Sequence, residues 1–561
     1  MERKMKFIEL ARVYEELEKT SSYNTMRDVL SNFFKKTPKN EIEHVAYLTL
    51  GSIASQFEDV NLGMAAKMVI KSIAVSHDQK EETVLHVYKK AGDIGKTAEQ
   101  YASGKGGLTV ETVFKTLHKI TEATGAGSQE KKIALLGSLL SCATKIEARY
   151  LARIVLGDLR LGIGDKTVLD ALSIAYTGSK EGREELEHAY NICPDVGIIA
   201  NTLAYKGMKG IREIGVLVGR PIQMMLCQRI ENLGELQERT GFPVAVEQKY
   251  DGERIQVHKK GNKIVLYSRR LENITAQFPE VVDAVRKIRA KDCVIEGEAV
   301  AVDKKGNILP FQIVMQRRRK YEVEKYAAEV PVKLMVFELI YLNGKSLLKK
   351  SYPERYALLQ KIVKKGKVVE LANRIICKDT ACADDFFQKQ VVAGGEGIVV
   401  KSLKQDSTYQ AGVRGWHWIK WKPEYVKGLR DTFDLVIVGA YYGRGRRAGM
   451  YGALLCACYD DKKDRFLTFC KLGSGFTDKT LAELPKKLKK IQHKPARLEI
   501  AKAITPDVWI DPRYVMEVSG AEITKSPNHT LGYALRFPRF LRWREKKPEQ
   551  ATTAKEILKM I

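Results

Sequence analysis

No apolar run in the sequence approaches the ~20 residues that a membrane-spanning helix requires, so an α-helical membrane protein is excluded. There is no strong internal repeat and no low-complexity tract, which argues against a solenoid or a disordered tail. The N-terminus, MERKMKFIELARVYEELEKT, mixes acids into an amphipathic helical pattern and is therefore neither a signal nor a transit peptide. Nine cysteines are present but no CxxC pair, so reduced thiols, a cytoplasmic setting and no structural zinc are expected. Cys456 and Cys458, two apart in YGALLCACYD, fit one buried face of a strand. Acids are the scarce charge: 68 Asp+Glu against 95 Lys+Arg leave a net +27. That surplus points to a polyanionic partner, nucleic acid or an acidic membrane surface.

The chain has 561 residues, enough for three or four domains at ~150 residues each. Residues 1–215 have helical periodicity, as in EARYLARIVLGDLRLGIGDKTVLDALSIAY, where a glycine break separates two helices. Near residue 216 strand-like runs appear: RIQVHKKGNKIVLYSRR, CVIEGEAVAVDKKGNILPF, VKLMVFELIYL, GEGIVVKSL and WHWIKWK. Interspersed helices make 216–428 a mixed α+β domain. Residues 429–561 carry short strands and one helix, TDKTLAELPKKLKKI, a pattern suited to a small OB-fold barrel.

EQKYDGERIQVH, residues 247–258, holds the most informative lysine. Lys249 follows the apolar run PVAV and precedes an Asp251-Gly252 turn. A buried, unpaired ammonium costs several kcal/mol, so the residue is either a rim lysine on a hairpin or a nucleophile. Alternation along an extended strand would put Glu247, Lys249 and Asp251 on one face, Glu296 and Glu298 on another, and Lys420 and Lys422 on a third. Apolar and aromatic neighbours make these strands half-buried, so the charges suggest a cleft for nucleotidyl transfer. An unprotonated lysine attacks an α-phosphate there and pyrophosphate leaves. The lysine pKa, ordinarily about 10.4, must fall, and desolvation with Lys420 and Lys422 as neighbouring cations would lower it. Magnesium prefers carboxylates plus phosphate oxygens, for which Glu298 and Glu396 are candidates.

GDLRLGIGDKT has the glycines of a P-loop, but Asp165 stands before Lys166 and the GxxxxGK[ST] spacing is not met. It reads as a helix N-terminus, either holding a nucleic-acid phosphate or serving as an ordinary connection. ALRFPRFLRWREKKPEQ near the C-terminus and GRGRRAG at 443–449 are basic, the first interleaved with aromatics, as nucleic-acid contacts or a solvated surface would be.

Taken together, KYDGER (249–254), SRRLEN (268–273), VIEGEAVAVD (294–303), VFEL (336–339), EGIVVKS (396–402) and WIKWKPEY (418–425), in that order, resemble the motifs of covalent nucleotidyltransferases. RFPRFLRWRE from 536 is similar to the last motif, and the helical stretch around 147–172 resembles the DNA-binding domain of archaeal and eukaryotic replicative DNA ligases. The chain is thus identified as resembling ATP-dependent DNA ligases over nearly its whole length, the compact archaeal ones above all. The resemblance implies a helical DNA-binding domain, an adenylation domain and an OB-fold closing around a nick. It implies that Lys249 becomes linked to AMP, Glu247 reads the adenine amino group, and Arg254 and Arg269 bind ribose and phosphate. Phe337 would stack on adenine, Glu298 would contact nucleotide and metal, and Glu396 would be a second Mg2+ ligand. Arg414 would hold the nucleotide, with Lys420 and Lys422 on the α-phosphate. AMP would pass to the 5′-phosphate of nicked duplex DNA, and the 3′-hydroxyl would then displace it. The last motif departs from the family's acid-acid-lysine run, leaving both Lys546 and Lys547 as candidates for the lysine role.

A monomer serving replication, repair and recombination is expected. RDVLSNFF (27–34) resembles a sliding-clamp docking box with Arg27 in the glutamine place, but Leu30, Phe33 and Phe34 fit better an amphipathic helix facing its own core. Capping guanylyltransferases and RNA ligases share KxDG without the helical N-terminal region. A non-catalytic nucleic-acid-binding protein would not need Lys249, Glu298 and Lys420 together.

Overall fold

The computed structural model describes residues 4–230, 232–318, 329–392, 395–422, 432–443, 450–520 and 522–560. They form two compact units, Met1–Trp421 and Lys422–Ile561. The expected division at 428/429 lies outside the described residues.

The first unit begins with helices, from Phe7–Glu18 to Val196–Arg212. Phe7, Leu10, Ala11, Tyr14 and Leu17 recur at helical spacing and are buried as one stripe. Helix Lys145–Val155 starts at a Thr144/Glu147 capping box, and the glycine break leads to helix Asp165–Thr177. Arg153, buried on the first of these, pairs with Asp93 at 2.6 Å and Glu18 at 3.0 Å. The clamp-box stretch lies in helix Tyr23–Lys36, where Leu30, Phe33 and Phe34 are buried in the helical core. These three side chains pack as the alternative of a helix facing its own core expects.

Eleven described strands follow: β1 (Leu226–Arg229), β2 (Val244–Gln248), β3 (Glu253–Lys260), β4 (Lys263–Ser268), β5 (Asp292–Ala301), β6 (Val332–Leu342), β7 (Lys345–Ser346), β8 (Val369–Leu371), β9 (Arg374–Cys377), β10 (Ile398–Ser402) and β11 (Arg414–Trp421). They make two sheets. One has the order β1-β11-β10-β2-β9; the other runs β4-β3-β5-β6-β7, with β8 also on β6. The chain crosses from the first sheet to the second at residues 249–252, so the KYDG turn links the two. Cys377 and Cys382 form a disulfide, their Cα atoms 5.4 Å apart. This corrects the expectation of reduced thiols throughout: the end of β9 and the first turn of helix Thr380–Val392 bring together two cysteines that have no recognisable spacing.

The second unit is β-rich. Its main sheet includes Phe433–Tyr442, Tyr451–Asp460, Arg465–Leu472, Val515–Ser519 and Arg539–Arg544, as the OB-fold expectation requires. Cys456 and Cys458 lie in its core. Helix Asp478–Lys487 is joined by a second, Ala554–Leu558, that the sequence pattern did not suggest. Most of GRGRRAG, residues 444–449, lies outside the described residues.

Candidate active site

Buried β2 ends at Gln248, and its ladder continues one residue further, with the Lys249 N–H donating to the Gly397 carbonyl at 2.9 Å. Lys249 is thereby fixed beside the stretch that precedes β10. Its ammonium donates to Glu396, and both side chains are about four-fifths buried, at 21% and 20% exposure. Glu298, opposite Arg254 in the β3–β5 ladder, is the next carboxylate acting on Lys249. Gly252 makes the turn possible because a Cβ there would stand 2.3 Å from the Ala299 carbonyl oxygen and 3.0 Å from Glu298 Cγ.

The electrostatics correct one expectation. Burial lowers the Lys249 pKa, but Glu396 and Glu298 more than offset it, so the group titrates above its ordinary value. Conversely, burial pushes the Glu298 carboxyl up to about 7, against the pull of Lys249 and Arg254. The site thus sets a protonated amine against the Glu396 and Glu298 carboxyl groups, a donor set that suits a hard divalent cation once phosphate oxygens join it.

The expected alternation through Asp251 stops with the strand. Glu247, 3% exposed, lies on a different set of partners, pairing with Lys401 at 2.8 Å and accepting the Tyr352 hydroxyl. Lys401 donates to the Phe337 carbonyl at 2.9 Å, and its ammonium stands 4.4 Å from the ring centre of Trp418 and 4.8 Å from those of Phe337 and Tyr352. Arg254 lies 5.5 Å from the Phe337 ring and 5.4 Å from Trp418. Its guanidinium donates to Glu296 at 2.8 Å and to the Met225 carbonyl at 2.9 Å. Phe337, half-buried on β6, is therefore walled by Trp418 and two cations.

Lys420 sits on β11 opposite Val399 of β10, within the same sheet as Lys249's strand. Arg414 begins β11 and is exposed, and Arg269 is exposed just after β4. Lys422 falls at the start of the second unit. Lys249, Glu298, Glu396, Arg254 and Phe337 are brought together with Glu247 behind them; Arg414 and Arg269 lie at the surface. Sequence reasoning did not single out Lys401, Tyr352 and Trp418. A signal was available for Lys401: a lysine closing the apolar run IVV cannot be buried without a carboxylate.

The family model described as "ATP dependent DNA ligase domain" matches residues 224–422, "DNA ligase N terminus" matches 6–173, and "ATP dependent DNA ligase C terminal region" matches 447–547. The chain is 46% identical over 572 residues to DNA ligase 1 of Methanosarcina acetivorans, covering 99% of each. The chain belongs to the ATP-dependent DNA ligases. DNA ligase 2 of Thermofilum pendens is 44% identical, with 98% of this ligase and 96% of the relative covered. A solved structure titled "Pmar-Lig_Pre." superposes with a TM-score of 0.58 at 18% identity over 96% of this ligase and 99% of that chain, a likeness of fold. KYDGER, Glu298 and Glu396 all lie in the segment matched by the ATP-dependent domain.

Proposed function

We propose that this ligase seals nicks in duplex DNA through an AMP adduct on Lys249. The observation that carries the reading is the Lys249–Glu396 pair beside Glu298 at the junction of two sheets, with Arg254 and Phe337 alongside. The Lys249 nitrogen, once deprotonated, forms a P–N bond to the α-phosphorus of ATP as the bond to the β-phosphate oxygen breaks and pyrophosphate leaves. The 5′-phosphate oxygen at the nick then attacks the phosphoramidate, forming a P–O–P bond as the P–N bond breaks and Lys249 is freed, and the 3′-hydroxyl displaces AMP to form the phosphodiester. Glu247, fixed by Lys401 and Tyr352, is oriented as an acceptor for the adenine amino group. Phe337 provides a face for the base, Arg254 and Arg269 hold ribose and phosphate, and Arg414, Lys420 and Lys422 hold the phosphates.

Glu298 and Glu396 would hold Mg2+, which would supply charge for the departing pyrophosphate and relieve the carboxylate field that keeps Lys249 protonated. Residues 1–215 act as the DNA grip, 216–428 as the adenylation domain and 429–561 as the OB-fold. In the last motif Lys546 pairs with Asp434 at 2.6 Å, which favours neither Lys546 nor Lys547 for the role toward ATP. The enzyme works as a cytoplasmic monomer in replication, repair and recombination.

Incubation with ATP labelled on the α-phosphate, then a denaturing gel and peptide mapping, tests the reading. Label on the peptide containing Lys249 is expected. Label from GTP instead would indicate a capping enzyme, and no adduct from either nucleotide would remove the nucleophile assignment.

A further inference from the structure

The segment that leaves the helical region, residues 219–225, is hydrogen-bonded through Gly219, Ile222 and Met225 to a polar network around Arg254. Gln256, on β3, is fully buried and uses its whole hydrogen-bonding capacity. Its Oε1 accepts the Ile222 N–H at 2.8 Å and the His258 Nε2–H at 2.9 Å. Its Nε2 donates to the Ile222 carbonyl at 3.1 Å and to Glu296 Oε1 at 2.9 Å. The His258 tautomer follows from the network: Nδ1 accepts the Gly219 N–H at 3.0 Å, so the proton is on Nε2, and burial keeps the ring neutral with its pKa pushed down to about 3. The Tyr267 hydroxyl donates to the Gly219 carbonyl at 2.7 Å.

Glu296 in turn receives Arg254 on its second oxygen at 2.8 Å and Tyr409 at 2.8 Å on the first. The Tyr409 hydroxyl accepts the Met225 N–H, and the Met225 carbonyl accepts Arg254. Arg254 is thus gripped from two sides by groups whose positions both depend on the 219–225 segment. The same segment is tied to the helical region, since the Gln223 N–H donates to the Asn191 carbonyl at 2.8 Å and Ile192 shares a core with Ile222, Met225 and Trp418.

We propose that Gln256 is a positioning residue for nucleotide binding, locking segment 219–225 and Glu296 together so that Arg254 is held against the sugar and phosphates of ATP. The inference rests on the adenylation reading above. No other side chain of this size supplies two donors and a doubly accepting oxygen here. Methionine fills the volume but strands the Ile222 amide and the His258 N–H, and glutamate sets a carboxylate against Glu296.

The test is single-turnover formation of the AMP adduct by the full-length chain across ATP concentrations, for the unaltered protein, Gln256→Met, Arg254→Lys and the double variant. Gln256→Met is expected to raise the ATP concentration for half-maximal rate roughly 10- to 100-fold, the range for stranding a buried polar group. In the Arg254→Lys background the same change should add little, because its effect passes through Arg254. An unshifted ATP dependence in folded Gln256→Met, or an equal fold-loss in both backgrounds, overturns the proposal. Should Gln256→Met not fold, hydrogen exchange on the unaltered chain decides: the Gly219 and Ile222 amides should be protected and exchange still more slowly with ATP bound. Exchange unaffected by ATP overturns it. Failure of the unaltered protein to form any adduct would instead remove the adenylation reading, and the proposal with it.

Discussion

The Lys401 ammonium, 1% exposed, stands 2.8 Å from the Glu247 carboxylate, inside a cage made by Trp418, Phe337 and Tyr352. Each charge compensates the other where water cannot. Lys401→Met should therefore destabilise the first unit by about 3–5 kcal/mol, because Glu247 is left buried and unpaired. Glu247→Gln/Lys401→Met should recover much of that loss while remaining poor at taking up ATP. Thermal and denaturant unfolding of the three variants measures this, and a neutral Lys401→Met would mean that water reaches the pair.

Lys249→Ala should abolish the AMP adduct and leave binding to nicked DNA largely intact. Lys249→Arg should fail as well, because a guanidinium stays protonated and cannot attack phosphorus. The measurement is label transfer from α-labelled ATP alongside a gel-shift assay; robust labelling of either variant contradicts the assignment.

Gly252→Ala should slow adduct formation by ~10²-fold or more, since its Cβ would meet the Ala299 backbone oxygen and push the Lys249 turn away from its position. A backbone carbonyl in the middle of a sheet cannot yield as a side chain could. Single-turnover labelling with circular dichroism as the folding control distinguishes a displaced turn from an unfolded domain.

Acid should weaken the helical region. Burial alone would raise the Glu18 and Asp93 carboxyls, but Arg153 and its neighbours more than offset it, so both titrate below their ordinary values. A depressed carboxyl pKa adds stability above the unfolded-state value, about 4, and that contribution is lost as pH falls through the folded value. Arg153→Met should remove most of the protection, leaving Glu18 to Arg149 at 3.8 Å and Asp93 to Arg160 at 3.4 Å, without their shared cation. Helical ellipticity followed against pH for both proteins is the check: parallel acid transitions would show that the network contributes nothing.

Binding to nicked duplex should fall steeply with salt. Counterion release gives a log–log slope near −0.9 for each phosphate neutralised, and the net charge of +27 supplies many candidates. A nearly flat dependence in a titration from low to moderate salt would assign the charge to solubility.

Much of this enzyme could be read along the chain because its signals are local. Helical periodicity before 215, strand-like runs after 216, the glycine of a turn and the order of motifs from KYDGER to the basic C-terminal stretch depend only on neighbours in sequence. Lys249 was different: its own stretch left a rim lysine and a nucleophile both open, and only the ordered motifs across the chain pointed to the second. What pairs with what depended on folding. Alternation within one strand could not disclose that Glu247 turns to Lys401, 154 residues away in the chain, while Lys249 turns to Glu396, since those partners come from β10 and its approach. Nor could it give the sign of the Lys249 pKa shift: the sequence offered Lys420 and Lys422 as the groups that set it and Glu298 and Glu396 as metal ligands, whereas in the folded site those two carboxyls dominate. The Cys377–Cys382 bond and the clasp of Gln256 on Ile222 were hidden for the same reason. Backbone propensity and hydrophobic burial act over a few residues and are written locally, but charge compensation in a buried site is a matter of distance in space, and only the register of packed sheets decides it.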